Sequence, residues 1–355
     1  MNPYVKAVRP SVLRAPEYRA ALQLGPGYIK LNSNENPYPL PEPIVSKVLE
    51  AVRTGHNLYP EETADTLRGV VADVYGLRPG NILVGNGTSE LLSVLYRSML
   101  DPGERVAMPS PGFTLNRKLA GLQGGRLLEV PWAHDYGLPV EQLLDSGAKF
   151  IVLATPNNPT GTAVSMEAVR YLLERFDGPV VVDEAYSAFC EETALPMLEE
   201  FPNLIVLRTC SKSYSAAGIR VGFAFACDEL IAQFSKVQPL YVVDSIAQRI
   251  ATEVFKNLNL FQPSIERIKA QRDRTERDFA RRGFAVVPSQ ANFVLAYTPG
   301  AAGGVLWQEE LKKRRILVRR FDESGLTDAI RVGIGTEEQM ALVMNAVDEI
   351  LAGTS

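Results

Sequence analysis

Residues 203–226, NLIVLRTCSKSYSAAGIRVGFAFA, decide the fold. The stretch is apolar from Asn203 to Leu207, turns to hydroxyls and basic residues from Thr209 to Gly222, and is apolar again from Phe223 to Ala226. Two short apolar runs around a polar segment read as two strands, with a loop at a strand end. In that loop Lys212 is flanked by Ser211 and Ser213, and Arg220 follows eight positions on. Such a set suits a carbonyl cofactor that carries a phosphate: the amine can form a Schiff base, while Thr209, Ser211 and Arg220 supply phosphate hydrogen bonds. The same residues also describe a solvated surface loop, and the stretch alone does not separate the two readings.

Outward from this loop the chain alternates short apolar runs with longer helical segments. Strands are expected at Ile82–Val84, Arg105–Met108, Arg126–Val130, Phe150–Ala154 and Val180–Asp183, besides the two already named. Helices are expected at Ile44–Arg53, Thr63–Tyr75, Ser89–Leu100, Met166–Phe176 and Glu229–Val237. This alternation predicts a mostly parallel sheet covered by helices, whose sites gather at the carboxyl ends of the strands. After the first strand, Gly87, Thr88 and Ser89 open a helix; exposed amides and the helix dipole there favour an anion, although an ordinary helix cap reads the same way. After the second, Phe113 in PSPGF offers a ring for stacking on a planar group, the alternative being a core residue. TPNNPTG at 155–161 is strong turn chemistry. Asp183 ends a wholly apolar strand, where a carboxylate needs a cationic partner such as a pyridinium nitrogen, and Tyr186 could reach an oxygen on the same ring.

At 355 residues the chain exceeds the ~250–300 that one core usually serves, so two lobes are expected. A formal charge of −4 offers no basic field for nucleic acid or an anionic membrane. Cys190, Cys210 and Cys227 form no Cys-x-x-Cys pair, and with His56 and His134 as the sole histidines no metal cluster is expected. Isolated thiols fit a reducing cytoplasm. No stretch approaches the ~18 apolar residues of a membrane span, and neither a signal peptide nor an anchor is read at the N-terminus.

Residues 1–43 are rich in proline, which opposes helix and sheet, so an extended arm is expected; Asn34, Glu35 and Asn36 incline it towards a site rather than a plain linker. In the C-terminal third, strands at Phe284–Val287, Phe293–Tyr297, Ile316–Val318 and Ala329–Gly333, with helices at Val305–Arg314 and Glu337–Leu351, predict a small α+β domain. Arg319 and Arg331 lie in or beside apolar strands, where a guanidinium seeks a bidentate oxyanion; salt bridges to Asp322, Glu323 or Asp328 are the structural alternative. Strand alternation from Leu317 favours Arg319 over Arg320 as the inward one.

GNGTSE, PSPGF, PNNPTG, VVVDEAY and TCSKSYSAAGIRVG, in this order and spacing, resemble the aspartate-aminotransferase-like (fold type I) enzymes that use pyridoxal 5′-phosphate. LNSNENPYPLP, NLYPE and LVRRF with AIRVGIGT resemble their histidinol-phosphate aminotransferase branch, and the likeness runs from about Leu31 to Thr336. It implies an α/β fold: a mostly parallel seven-stranded sheet sandwiched by helices (44–243), a small α+β domain (244–355), and the arm (1–43) packed with the small domain or a partner subunit. The implied reaction passes an amino group between L-histidinol phosphate and 2-oxoglutarate in a cytoplasmic homodimer. By the same resemblance Lys212 would carry the cofactor and move the proton, and Asp183 would hold the ring nitrogen protonated. Asn158 and Tyr186 would bond the ring oxygen, Phe113 would stack, and Tyr59 would reach the cofactor phosphate of the neighbouring subunit. Arg319 and Arg331 would clamp the substrate phosphate, Arg331 would also hold the glutamate carboxylate, and Asn34 and Tyr18 would lie on the substrate side. An aromatic-amino-acid aminotransferase or a phosphothreonine decarboxylase of the same fold, or an inactive ligand-binding relative, are the alternatives. A nicotinamide dehydrogenase would need Gly-x-Gly-x-x-Gly, and Glu90 stands at the last position.

Overall fold

The computed structural model describes residues 3–15, 22–53, 57–133, 135–300 and 303–353. Its strands are β1 (Ile29–Lys30), β2 (Ile82–Gly85), β3 (Arg105–Ser110), β4 (Arg126–Pro131), β5 (Phe150–Ala154), β6 (Val180–Asp183) and β7 (Leu204–Thr209). They continue with β8 (Gly222–Phe225), β9 (Ala285–Val287), β10 (Phe293–Tyr297), β11 (Ile316–Leu317), β12 (Arg319–Arg320) and β13 (Ala329–Gly333).

Seven of them form one sheet in the order β2-β8-β7-β6-β5-β3-β4. All run parallel except β8, which lies antiparallel to both its neighbours. The runs read as apolar are buried on both faces, and the period of two sorts them: Ile151, Leu153, Val180, Val182, Leu204 and Val206 face one core. Phe150, Val152, Val181, Ile205 and Leu207 face the other. Helices Asp65–Tyr75, Met166–Arg175 and Ser245–Lys256 cover the first face, and Gly87–Met99, Leu115–Gln123 and Asp228–Ser235 cover the second. Two of these helices start on side-chain caps, Ser165 accepting from the Ala168 amide and Asp244 from the Ala247 amide.

A second, antiparallel sheet has the order β12-β13-β10-β9. Helix Gln262–Arg281 packs on it, and its inner residues Phe293, Val294, Ile330 and Val332 merge into the same core as the large sheet. The expected strand Ile316–Val318 is β11, which pairs with β1 of the arm, and a further short strand, β12, follows it and pairs with β13. Helix Leu115–Gln123 was not anticipated, because its apolar stripe, Leu115, Leu119 and Ala120, is short and interrupted by basic residues. Prolines exclude regular structure from the arm less completely than expected. Pro10 starts a short helix, Pro10–Arg14, since the first turn needs no proline amide. Arg9 and Ser11 both donate to the Leu122 carbonyl, which fixes this part of the arm to the large lobe.

Candidate active site

β2, β3, β5, β6 and β7 end at one rim of the sheet, and the antiparallel β8 begins there. Register sets this rim: Gly85 pairs with Gly222, and Gly222 pairs with Thr209. The loops beyond it, the arm and the second sheet enclose a cleft of about 510 Å³. Lys212, Asp183, Tyr186, Asn158 and Phe113 line it, as do Thr88, Ser89, Thr209, Ser211, Arg220, Asn34, Arg319 and Arg331.

The anion end is built first from backbone. Gly87 has φ +74, and a Cβ there would stand 2.4 Å from a guanidinium nitrogen of Arg220. A Cβ on Gly222 would stand 2.7 Å from the Thr88 amide nitrogen. Glycine at both positions therefore lets the start of helix Gly87–Met99, the β7 end and Arg220 converge. Arg220 donates to Ser211 Oγ at 3.2 Å, and Thr209 Oγ1 donates to Ser211 Oγ at 2.9 Å. Helix amides, two hydroxyls and a guanidinium thus meet at one place, which suits a phosphate.

At the centre, the Lys212 amine donates to the Ser33 carbonyl at 2.8 Å and lies 5.8 Å from the Tyr186 ring. Burial, reinforced by the positive charge of Arg331, lowers its pKa from 10.5 to about 8, so a useful share is neutral and nucleophilic near physiological pH. Asp183 is 7% exposed and makes no ion pair among the described residues; one oxygen accepts the Ala185 amide at 3.0 Å. Burial raises its pKa from 3.8 to about 6 against that hydrogen bond. A buried carboxylate that faces a cleft without a cation is costly unless a ligand supplies one, as a protonated ring nitrogen would. Tyr186 accepts from Asn34 Nδ2 at 3.1 Å. Schiff-base amine, carboxylate, phosphate seat and the Phe113 ring together fit a flat phosphorylated aldehyde with a basic ring nitrogen.

The far wall comes from the small sheet. Arg319 and Arg331 are direct cross-strand partners on β12 and β13, so both project from one face. Like charges so placed repel, and an anion shared between them relieves the repulsion. Arg331 donates to Asn158 Oδ1 at 2.5 Å and to the Asn32 carbonyl at 3.0 Å, while Phe293 and Phe321 flank its guanidinium. Arg319 makes no ion pair among the described residues; Arg320 instead pairs with Asp322.

Tyr59 does not line the cleft. Tyr59 is 82% exposed and stacks on Tyr241, with ring centroids 4.7 Å apart. Tyr18 lies outside the described residues. Several cleft features were not anticipated. Backbone carbonyls of Asn32 and Ser33, which grip Arg331 and Lys212, leave no trace in side-chain chemistry. At the rim, Arg117 pairs with Glu129 at 2.7 Å, and Glu129 also accepts from Ser110. Arg117 lies four residues after Phe113, and that helical spacing was the available signal. Glu184, next to Asp183, is buried against Arg208 at 2.8 Å, with Thr193 and the Ala194 amide completing its shell. Among the described residues no group of three or more His, Cys, Asp or Glu side chains could hold a metal ion.

A family model described as aminotransferase class I and II matches residues 26–347. Histidinol-phosphate aminotransferase 3 of Mesorhizobium japonicum is 43% identical over 326 residues, covering 91% of this chain and 88% of that one. The histidinol-phosphate aminotransferase of Sinorhizobium fredii is 43% identical over 327 residues, covering 91% and 89%. Among solved structures, histidinol-phosphate aminotransferase from Sinorhizobium meliloti, in complex with pyridoxal-5′-phosphate, superposes with a TM-score of 0.88 at 24% identity, covering 98% of each chain. A Thermus thermophilus aspartate aminotransferase mutant has a TM-score of 0.82 at 21% identity, covering 97% and 99%. At those identities the structural likenesses speak for the fold.

Proposed function

The chain belongs to the aminotransferase class I and II family, and we propose that it transfers the amino group of L-histidinol phosphate to 2-oxoglutarate. The products are imidazole-acetol phosphate and L-glutamate, the cofactor is pyridoxal 5′-phosphate, and the reaction is a step of histidine biosynthesis. The observation that carries this reading is the near full-length match, at 43% identity, to curated relatives that bear the histidinol-phosphate name. Two cross-strand arginines in the same cleft as a buried amine supply the matching chemistry.

When bound, pyridoxal 5′-phosphate would supply an aldehyde carbon for the substrate amine and a ring able to delocalise the electron pair left at the deprotonated Cα. Lys212 would be the covalent anchor, and its amine, at the centre of the cleft, would serve as the group that takes up the Cα proton and passes it on. Asp183 holds a proton on the ring nitrogen. Asn158 and Tyr186 would hold the ring oxygen; the Asn158 carbonyl oxygen already accepts from Arg331, which leaves its amide hydrogens for the ring. Phe113 covers the ring face, and Thr88, Ser89, Thr209, Ser211 and Arg220 hold the phosphate. Arg331 with Arg319 takes the substrate phosphate in one half-reaction and, through Arg331, a glutamate carboxylate in the other. Asn34 braces Tyr186 on the substrate side.

The chain divides for this work into the arm (1–43), the cofactor lobe (44–243) and the small lobe (244–355). This division is supported by all seven strands of the large sheet ending by Phe225 and those of the second sheet beginning at Ala285. The active unit is a homodimer in which Tyr59 reaches the partner's cofactor phosphate. Exposed Leu58, Tyr59 and Leu240, with Tyr241 beside them, support it as an apolar patch. Three free cysteines support a cytoplasmic location.

The test is a single-turnover comparison of histidinol phosphate, phenylalanine and phosphothreonine on the cofactor-loaded protein. Histidinol phosphate is expected to convert fastest, with Lys212→Ala inactive towards all three. Faster conversion of phenylalanine, or carbon dioxide release from phosphothreonine, would overturn the substrate assignment.

A further inference from the structure

The ring at Phe113 sits on a loop, PSPGF, with little regular structure of its own, yet four side chains from three separate elements and a turn hold that loop. Trp132, just beyond the end of β4, donates through Nε1 to the Pro111 carbonyl at 2.9 Å. Asn157, 1% exposed in the turn that also carries Asn158, donates through Nδ2 to the same carbonyl at 3.0 Å. Both lone pairs of the Pro111 oxygen are thereby used. Asn116, 3% exposed, donates through Nδ2 to the Phe113 carbonyl at 3.1 Å. The fully buried Tyr96 hydroxyl donates in turn to Asn116 Oδ1 at 3.2 Å. Asn157 further accepts and donates within its own turn, to the Gly161 amide, the Thr162 carbonyl and Thr160 Oγ1, so the Phe113 loop and the Asn158 turn are tied together.

We infer that Trp132, Asn157, Asn116 and Tyr96 are positioning residues that fix the Phe113 ring against the cofactor plane and keep it in register with Asn158. This rests on the cofactor reading above. None of the four carries a charge and none is needed for proton transfer. Trp132, Asn157 and Asn116 bond the two carbonyls that bracket Gly112 and Phe113, the backbone groups that decide where the ring points, and Tyr96 orients Asn116. Polar side chains this buried are costly unless satisfied, and here they satisfy the loop.

Trp132→Phe and Tyr96→Phe each remove one donor and keep the ring that packs. Apo forms of both are expected to melt within a few degrees of the parent, which controls for folding. Each is expected to weaken equilibrium binding of pyridoxal 5′-phosphate by about three- to tenfold, the scale of one lost neutral hydrogen bond. Visible circular dichroism of the bound cofactor is expected to fall, with kcat lowered and KM for the amino donor changed less than about twofold. In a Phe113→Leu background the effect of either substitution on cofactor binding is expected to vanish, because the ring through which it acts is gone. Equal effects in both backgrounds, or unchanged binding and dichroism, would overturn the inference. A parent protein that fails to bind the cofactor at Lys212 would instead overturn the cofactor reading, and that is seen before any variant is compared.

Discussion

Asp183 and Lys212 are shifted in opposite directions by the same cause, burial, and each shift sets a measurable pH dependence. The folded protein holds the Asp183 proton up to about pH 6, whereas an ordinary aspartate releases it near 3.8. Folding therefore takes up a proton in that window, and the apo-protein loses stability as pH rises through it. Above it the charged form costs roughly 3 kcal/mol. Asp183→Asn keeps an acceptor for the Ala185 amide and removes the charge, so its apo form is expected to melt above the parent at pH 7.5. The gap should shrink towards pH 4; thermal scans that show the same gap at both values would contradict it. Lys212, at about 8 instead of 10.5, is expected to attach pyridoxal 5′-phosphate with a rate that climbs through pH 8 and then levels. Borohydride trapping across pH measures this. Removing the nearby positive charge with Arg331→Gln should move the midpoint upward, and a midpoint that stays or falls would show that Arg331 does not act on the amine.

At the scale of elements, the strip Leu31–Asn36 is where the arm becomes part of the site. Leu31 bonds the β11 and β13 backbones, Asn32 and Ser33 lend carbonyls to Arg331 and Lys212, and Asn36 donates to the Ser213 carbonyl. Asn34 has φ 54 and a backbone carbonyl that accepts from Asn292 at 3.0 Å. A left-handed alanine costs about 1–2 kcal/mol and a glycine does not. Asn34→Ala is thus expected to destabilise more than Asn34→Gly in denaturant unfolding, while both lose the Tyr186 contact and lower kcat; the reverse order of stability would contradict it. Asn34 and Glu35 stood out because so much hydrogen bonding has no use in a linker, and both line the cleft. The bonds made by the backbone of this strip did not, since any residue offers a carbonyl. Strands were legible for a related reason: runs such as Val180–Val182 are apolar on both faces and can only be interior. The division of Ile316–Arg320 between two sheets was hidden, because a run of five residues shows no sign of where it changes partner.

At the scale of the molecule, Leu58 and Leu240, 67% and 68% exposed, stand beside the Tyr59–Tyr241 stack. Asn86, at the start of helix Gly87–Met99, donates to the Val242 carbonyl, so this patch adjoins the cleft. Sedimentation is expected to give twice the 39.0 kDa chain mass. Leu58→Asp with Leu240→Asp should produce monomers that bind the cofactor weakly; a monomeric parent, or dimers unaffected by the two charges, would contradict the shared site. The reversed strand β8 carries a consequence for how the protein is made. Because it runs against its neighbours, Gly222 lands beside residues 85 and 209, and the anion seat joins two distant parts of the chain. A nascent polypeptide that has not yet emerged past Gly222 owns the helix amides and the lysine, but no finished cradle. Ligand capture can therefore reward only a chain translated past Gly222, never a shorter one.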